Sequence, residues 1–496
     1  MKKKNILLFI LLCTCIPRLN AQVYFNNRYD ISNSYDESRG IVEINGGYII
    51  AGVTDPETIY LMFIDTLGNK KWVKTYQING WPYSYCGFAG AIIKTKDDNI
   101  VVFGKTTDTN DYGESLLMKL NQNGDTIWTR TYQINYPNKN MVAQCKQTSD
   151  NGYVLAGIGA NIPYIPPDTD FLIIKTDSNG VFQWFKLIGD NKIESAYSII
   201  QSPDKGYLIG GIHYYNIGGN FHADPKIIKT DSMGNFKWDK LMGGIYDDNA
   251  AMVCMAKDSN YIVAYTNAEY ETADGPYRKI CINKLDTAGN IIWSKKYGEA
   301  NFYNSLTQIK PVPDGGFLVC GFTDNLLFTF YRVGWLLRIN ANGDSLWYRE
   351  YANYVHDEVF NYLWDMSLTK DKGIVAAGTI YPNSTGGTQD VWVIKTDSFG
   401  CLESDCTVGV TEIKGNKGMA IYPNPARDKI TFQINPTDIA ETKLVIYNIQ
   451  GQILLQKDLI QNNTEIDVSQ LPQGIYVAKV SFGDGSYRQG KFVVVK

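Results

Sequence analysis

Apolar and polar positions alternate in short runs along most of the chain, a pattern of strands and tight turns. Residues 195–242 show it in full. The mixed stretch "SAYSIIQS" leads into an Asp-x-Gly turn and the β-rich run "YLIGG"; after a variable segment come "KIIKT", an Asp-Ser-x-Gly turn and the tryptophan-bearing run "FKWDKLM". Four successive strands joined in this way predict an antiparallel meander. Glycine in the turns supplies positive φ without steric cost, and Asp or Asn bonds its own backbone two residues on. The recurrent Asp and Gly are therefore read as hairpin chemistry rather than as metal ligands or catalytic groups.

The same unit recurs. Asp/Asn-x-x-Gly-x-x-x-Trp ends on Trp72, Trp128, Trp184, Trp238, Trp293 and Trp347, at intervals of 56, 56, 54, 55 and 54 residues, and Gly400 marks a seventh copy without its tryptophan. A second phrase precedes each, from "NGGYIIAG" and "DDNIVVFG" to "DGGFLVCG" and "DKGIVAAG". Seven copies of a unit near 55 residues predict a repeat architecture. A four-stranded sheet with a large aromatic on its last strand does not bury both faces alone; sheets set around an axis do, each Trp against its neighbour. The expected fold is all-β, a seven-bladed β-propeller. Its seventh unit stops at "SFGCLESDC", whereas the segment "VYFNNRYD" carries Phe25 and Tyr29 at the four-residue offset of Trp72 and Tyr76, Trp128 and Tyr132, Trp293 and Tyr297, and Trp347 and Tyr351. Residues 23–29 are therefore expected to complete the last blade by pairing with the strand near 391–396. Tyr153, Tyr207 and Tyr261, at one register beside the turns, are read as packing residues.

The pattern over residues 23 to about 403 is similar to the secreted bacterial β-propeller repeat families. It also resembles the tryptophan-docking repeat of pyrroloquinoline quinone enzymes, with a turn one residue shorter, and differs from sialidase Asp-boxes. Neither likeness implies an activity.

The opening "MKKKNILLFILLCTCIPRLNAQ" combines three lysines, an apolar run of 11 residues and a small residue, Ala21, before Gln22. It reads as a signal peptide over residues 1–21; the apolar run is too short to span a bilayer, and Cys13 and Cys15 lack the small residues that precede a lipid-modified cysteine. Removing its four cations changes the net charge from -4 to -8, which argues against nucleic acid as a partner. Seven cysteines remain, an odd number. That is no disulfide scaffold, although Cys401 and Cys406 stand close enough in sequence for a small staple.

Beyond Cys406 the composition changes. Residues 407–418 read as a linker, and 419–496 as a small antiparallel Ig-like β-sandwich whose runs are separated by Gln-Gly, Pro-Gln-Gly and Gly-Asp-Gly turns. Tyr422-Pro423-Asn424-Pro425, the strand at Gly474 and Tyr476, and the terminal Val-Val-Lys resemble the type A C-terminal sorting domain of the bacterial type IX secretion system. The resemblance implies Sec export, outer-membrane translocation by the type IX machinery, removal of the module, and a secreted or cell-surface product. A plain carbohydrate-binding sandwich is the alternative.

Chemistry is sparse. The histidines are His213, His222 and His356, none in a close-spaced metal signature, and no nucleophile elbow or phosphate loop stands out. His213 and His222 share "HYYNIGGNFHADP" with Asp224, but histidines in a Gly-Asn loop need no metal to explain them, and no cofactor is expected. Irregularity concentrates in segments rich in aromatics. Tyr83, Tyr85, Tyr164, His213, Tyr214, Tyr215, His222, Tyr270, Tyr331 and His356 are the candidate ligand-binding residues, with Tyr354, Asp168 and Asp224 beside them. Tyrosine offers a flat apolar surface with a hydroxyl, suited to glycan or protein. Two classes stay open: an exported binding protein using this face, or an exported enzyme such as a polysaccharide hydrolase, a lyase or a quinone-dependent dehydrogenase. A glycosidase needs two carboxylates at fixed separation, and the scarcity of histidine and nucleophile motifs favours binding.

Overall fold

The computed structural model describes residues 22–495 outside 110–112, 135–139, 161–168, 191, 218–219, 273–274, 299–302, 325–331, 354–358, 383–387, 404–418, 435–441, 449–452, 460–462 and 482–486. The signal-peptide reading, the linker and Cys406 lie outside the described residues. Cys401 is disulfide-bonded. Cys86, Cys145, Cys254, Cys281 and Cys320 are buried free thiols.

The described residues form strands and turns with no helix, and the chain divides into two compact units at residues 406/407. In the larger unit the predicted meander recurs. Asn140–Gln147, Tyr153–Ala160, Thr169–Thr176 and Phe182–Ile188, for example, pair antiparallel in that order. The start of a third strand then touches the next repeat's first strand in parallel, as at Thr169 and Ile193 or Arg332 and Phe360.

Both turns follow the chemistry expected of them. At the second, Asp177 Oδ1 accepts the amides of Asn179 and Val181, both at 2.8 Å, and Gly180 takes φ 72°. At the first, the aspartate binds a cation from the third strand: Lys119–Asp97, Lys175–Asp150, Lys229–Asp204, Lys284–Asp258, Arg338–Asp314 and Lys395–Asp371.

The fourth strand joins one repeat to the next. A Cβ on Gly124, Gly180, Gly234, Gly289, Gly343 or Gly400 would stand 2.6–3.1 Å from the ring of the preceding repeat's tryptophan. Four residues after the tryptophan, the hydroxyls of Tyr76, Tyr132 and Tyr351 donate to the same glycines' carbonyls at 2.7 Å. Residues two and four apart share a face of a strand, so the position between them, a cation in each tryptophan-bearing copy, joins the clasp: Lys240 Nζ donates to Gly289 O at 2.5 Å and Arg349 Nε to Phe399 O at 2.7 Å. The tryptophans also meet the tyrosine that opens the next repeat's second strand, with ring centroids 6.1 Å apart at Trp128–Tyr153 and 6.0 Å at Trp184–Tyr207. Tyr153, Tyr207 and Tyr261 are buried, as packing residues should be.

The N-terminal strand, Phe25–Tyr29, pairs antiparallel with Val391–Lys395, the partner expected for it. It repeats the clasp with other residues. Phe25 lies 6.3 Å from Tyr48, Asn27 Nδ2 donates to Gly68 O at 3.3 Å, and Tyr29 Oη donates to the same oxygen at 2.7 Å.

In the smaller unit Met419–Tyr422, Lys429–Ile434 and Asn463–Asp467 form one antiparallel sheet, and Ile453–Leu459, Thr442–Asn448, Gly474–Ser481 and Tyr487–Val494 another. Ile430, Phe432, Leu444, Ile446, Tyr476 and Phe492 belong to its core.

The first-turn aspartates carry a pH dependence. Burial alone would raise the Asp150 carboxyl, but hydrogen bonds from Thr148 and Lys175 outweigh it and hold the pKa at about 2. Asp97, Asp204, Asp258, Asp314 and Asp371 are likewise held below the ordinary value by their partners, against burial. Their stabilising contribution is complete above the unfolded-state value near ~3.9 and disappears as pH falls through the lower folded-state values. Thermal unfolding followed from pH 6 to pH 2 should show the midpoint dropping below about pH 4.

Candidate functional site

Six of the ten sequence-selected side chains are described. Tyr83 and Tyr85 sit half-buried on Tyr83–Cys86, with the Lys105 ammonium 4.8 Å from the Tyr85 ring centroid. Tyr164, Tyr331 and His356 lie outside the described residues, as do Asp168 and Tyr354, and only the backbone of Tyr270 is described, within Tyr261–Thr272.

The segment "HYYNIGGNFHADP" is not the irregular loop expected. Its alternating β-formers extend a hairpin of Tyr207–Ile217 and Asn220–Thr230, with His213 opposite Asp224 and Tyr215 opposite His222. These four share one face and Tyr214 takes the other. Tyr215 Oη donates to Asp224 at 2.8 Å and its ring stacks on His222, centroids 5.7 Å apart. His213 is buried, with Nδ1 3.1 Å from a Glu194 oxygen that also receives Lys226 Nζ at 2.6 Å. Burial, then the Lys226 charge, lowers the His213 pKa. That ring is engaged inside the sheet rather than presented on a rim.

The structure gathers a different aromatic set, delivered by β-bulges that the sequence pattern hid. In the first strand of several repeats one residue is left over between paired neighbours. Arg39 lies between Ser38 and Gly40, Tyr197 between Ala196 and Ser198, and Trp364 between Leu363 and Asp365. A bulge re-aims the extra side chain, and here three such residues converge on Phe88. In the second repeat the corresponding strand is interrupted between Tyr83–Cys86 and Ile92–Lys94, and Phe88 N donates to Ala143 O at 3.2 Å. Ring centroids lie 4.8 Å apart for Phe88–Tyr197 and 5.9 Å for Phe88–Trp364, and the Arg39 guanidinium stands 4.4 Å from the Trp364 ring.

The set continues outward along Val359–Leu368, where Phe360, Tyr362 and Trp364 alternate. Trp364 stacks on Tyr362 at 5.6 Å, Phe322 abuts Tyr362 at 4.8 Å, and Phe360 stacks on the exposed Tyr381 at 6.2 Å. Tyr197 belongs to the inner end; burial and then the neighbouring Tyr214 hydroxyl raise its pKa to about 12. Among the sequence-selected residues, Tyr214 thus acts on this set through the Tyr197 hydroxyl.

Two guanidiniums are built into the platform, and both are paired. Arg332 lies 4.8 Å from the Phe360 ring and donates to Asp324 Oδ1 and to Tyr362 Oη, each at 2.6 Å. Arg39 meets Glu37 at 2.5 Å, and the other Glu37 oxygen accepts Tyr35 Oη at 2.8 Å. The surface is therefore half-buried aromatic area edged with hydrogen-bonding groups, its two carboxylates held by cations. The alternation in "FNYLW", residues 360–364, was the available signal in the sequence; Arg39, Phe88 and Tyr197 left none.

The C-terminal unit has a second local arrangement. Asn424 Nδ2 donates to Lys491 O at 3.1 Å and Asn424 Oδ1 accepts Val493 N at 2.9 Å, so the side chain between Pro423 and Pro425 pairs with the last strand. Tyr476 is buried against Phe492, centroids 5.6 Å apart, on the strand opened by Gly474, whereas Tyr422 is exposed. Residues 420–496 match the family model described as a secretion system C-terminal sorting domain. The chain carries a type IX sorting domain. That domain directs type IX secretion, to the extracellular space or cell surface. No helix among the described residues is long and apolar enough to cross a membrane.

Two curated relatives match short segments. A funoran endo-beta-hydrolase of Wenyingzhuangia aestuarii is 24% identical over 114 residues, 23% of this chain and 15% of that protein. Beta-agarase D of Zobellia galactanivorans is 34% identical over 76 residues, 15% of each. The chain thus spans about 15% of the length of these relatives. Among solved structures, PorZ, a surface component of the type IX secretion system of Porphyromonas gingivalis, aligns at 13% identity with a TM-score of 0.42, covering 94% of this chain and 61% of that one. An α-L-arabinanase of Penicillium chrysogenum aligns at 10% identity and TM-score 0.39, covering 61% and 91%.

Deleting residues 419–496, the sorting domain, should leave the larger unit folded but held in the periplasm, since each unit has its own core. Fractionation of cells expressing the truncated chain checks this; normal amounts in the medium or on the cell surface would contradict it.

Proposed function

We propose that the chain is an exported, non-catalytic glycan-binding protein. In this reading a signal peptide, residues 1–21, is followed by a seven-bladed β-propeller, 22–406, a linker, 407–418, and the sorting sandwich, 419–496. Seven sequence copies support the blade count. Ring closure is supported by the pairing of Phe25–Tyr29 with Val391–Lys395 and by the repetition of the tryptophan clasp at Phe25, Tyr29 and Gly68.

The observation that carries the binding assignment is the continuous platform of Tyr381, Phe360, Tyr362, Trp364, Phe88 and Tyr197. The rings touch in series, stacked at Phe360–Tyr381 and Tyr362–Trp364 and edge-to-face at Phe88, and the half-buried aromatic area they leave suits the C–H faces of sugar rings, while Arg39 and Arg332 hold hydrogen-bond donors in place beside it. Glu37 and Asp324 are each bound to an arginine, an arrangement that fits binding better than acid–base work on a glycosidic bond. The two curated relatives are named for action on polysaccharides, and that naming agrees with the class of ligand without assigning an activity to this chain.

A panel of bacterial and algal polysaccharides titrated against the full chain tests the reading. Tyr381→Ala and Trp364→Ala should each weaken binding by about tenfold or more, the loss typical of a central aromatic contact. Unchanged affinity in both variants, or no binding across the panel, would overturn the glycan assignment.

A further inference from the structure

Three carboxylates meet where the N-terminal strand joins its neighbours. Asp30 directly follows the strand Phe25–Tyr29, Asp36 opens Asp36–Ile44, and Asp390 opens Asp390–Thr396. One oxygen from each lies within 4.8 Å of the others. Asp36 and Asp390 have no exposed surface, and Asp390 Oδ1 is buried without a hydrogen-bond partner among the described residues. A carboxylate taken wholly out of water with one oxygen unsatisfied is costly unless something cationic meets that oxygen.

The protein supplies part of the compensation. Arg28, on the N-terminal strand, pairs with the other Asp390 oxygen. Asp36 accepts the amides of Ile31 at 2.7 Å and Ser32 at 3.1 Å, and the hydroxyls of Ser32 at 2.9 Å and Thr54 at 2.5 Å. Asp30 accepts Asn33 N at 2.7 Å, while Lys70 Nζ lies on the Asp30 main-chain carbonyl at 3.0 Å rather than on its carboxylate. Among the described residues, three carboxylates against the one guanidinium bound to them leave two negative charges. A carboxylate has about four acceptor sites, so the bonds at Asp30 and Asp390 leave lone pairs for an ion, whereas the four bonds at Asp36 fill its sites and an ion would take the place of one hydroxyl donor.

We propose that Asp30, Asp36 and Asp390 form a calcium-type divalent-cation site that fastens the N-terminal strand to the sheet it completes. The donors are all oxygen, which selects a hard cation, and a seven-residue loop with carboxylates at both ends accommodates the larger, less directional Ca²⁺ more readily than Mg²⁺. The ion would satisfy Asp390 Oδ1 and link the loop of residues 30–36 to residue 390, which is distant in sequence. A second cluster, Asp190, Glu194 and His213, has two carboxylates rather than three against its one strand cation, Lys226, whose Nζ lies 2.6 Å from Glu194.

Calcium and magnesium titrations of the chelator-stripped full chain, read by calorimetry and thermal unfolding, test the proposal. One Ca²⁺ per chain should bind with a dissociation constant of about 0.1–1 mM, the range of extracellular modules, and raise the unfolding temperature, with Mg²⁺ at least about tenfold weaker. Asp390→Asn should abolish the response. Asp30→Ala, which removes an exposed carboxylate, should weaken Ca²⁺ binding at least tenfold while leaving the unfolding temperature in chelator unchanged, and this variant decides the matter if Asp390→Asn does not fold. No Ca²⁺ response in the wild-type chain at about 10 mM, or the same response in Asp30→Ala as in wild type, would overturn the site.

Discussion

The larger unit depends on one recurring contact: an aromatic side chain on the fourth strand of a repeat laid against a left-handed glycine in the next. The geometry is demanding on both sides. Each glycine stands so close to the ring that a Cβ would be 2.6–3.1 Å from tryptophan carbons, and its positive φ also disfavours any other residue. In return an indole is covered without being wholly buried, and its strand contributes a tyrosine hydroxyl or a cation to the same turn. Such contacts are individually modest, on the order of 0.5–1.5 kcal/mol for a neutral hydrogen bond. Their effect lies in repetition, because each sheet is positioned by the preceding one.

This dependence gives the N-terminal strand its importance. The seventh repeat has three strands of its own, so the clasp on Gly68 comes from Phe25 and Tyr29 instead. Phenylalanine replaces tryptophan and Asn27 replaces the cation, yet the Tyr29-to-glycine bond keeps the 2.7 Å length seen at Tyr76, Tyr132 and Tyr351. The same scaffold sets the candidate binding platform. First strands held in a common register put their bulged residues at comparable heights, which lets Arg39, Tyr197 and Trp364, more than 300 residues apart at the extremes, reach Phe88.

Much of this was legible in the chain. Turn glycines, turn aspartates and the Trp-to-Tyr offset are local signals repeated at a fixed period, and the offset also identified Phe25 and Tyr29 as a displaced fourth strand. The cation two residues after each tryptophan was equally visible but acquires meaning only once its partner turn is known. The bulges were not legible. A single extra residue in a strand leaves its hydrophobic content unchanged and shows only in pairing, so nothing in the sequence marks Arg39, Tyr197 and Trp364 as bulged. The hairpin at His213 to Asp224 misled for a related reason: glycines, asparagines and tyrosines read as loop, whereas cross-strand pairing makes them an extended sheet in which His213 faces Glu194. Tyr164, Tyr331 and His356 lie outside the described residues.

The central claim is that the N-terminal strand is a structural member of the last sheet rather than an appendage, and removing it tests that claim most directly. A chain lacking residues 22–30 should unfold several degrees below the intact chain, because it loses a strand pairing and one clasp together, and a synthetic peptide of residues 22–31 should restore the lost stability in a concentration-dependent way. An unchanged unfolding temperature in the shortened chain, or one that the peptide does not move, would contradict the account.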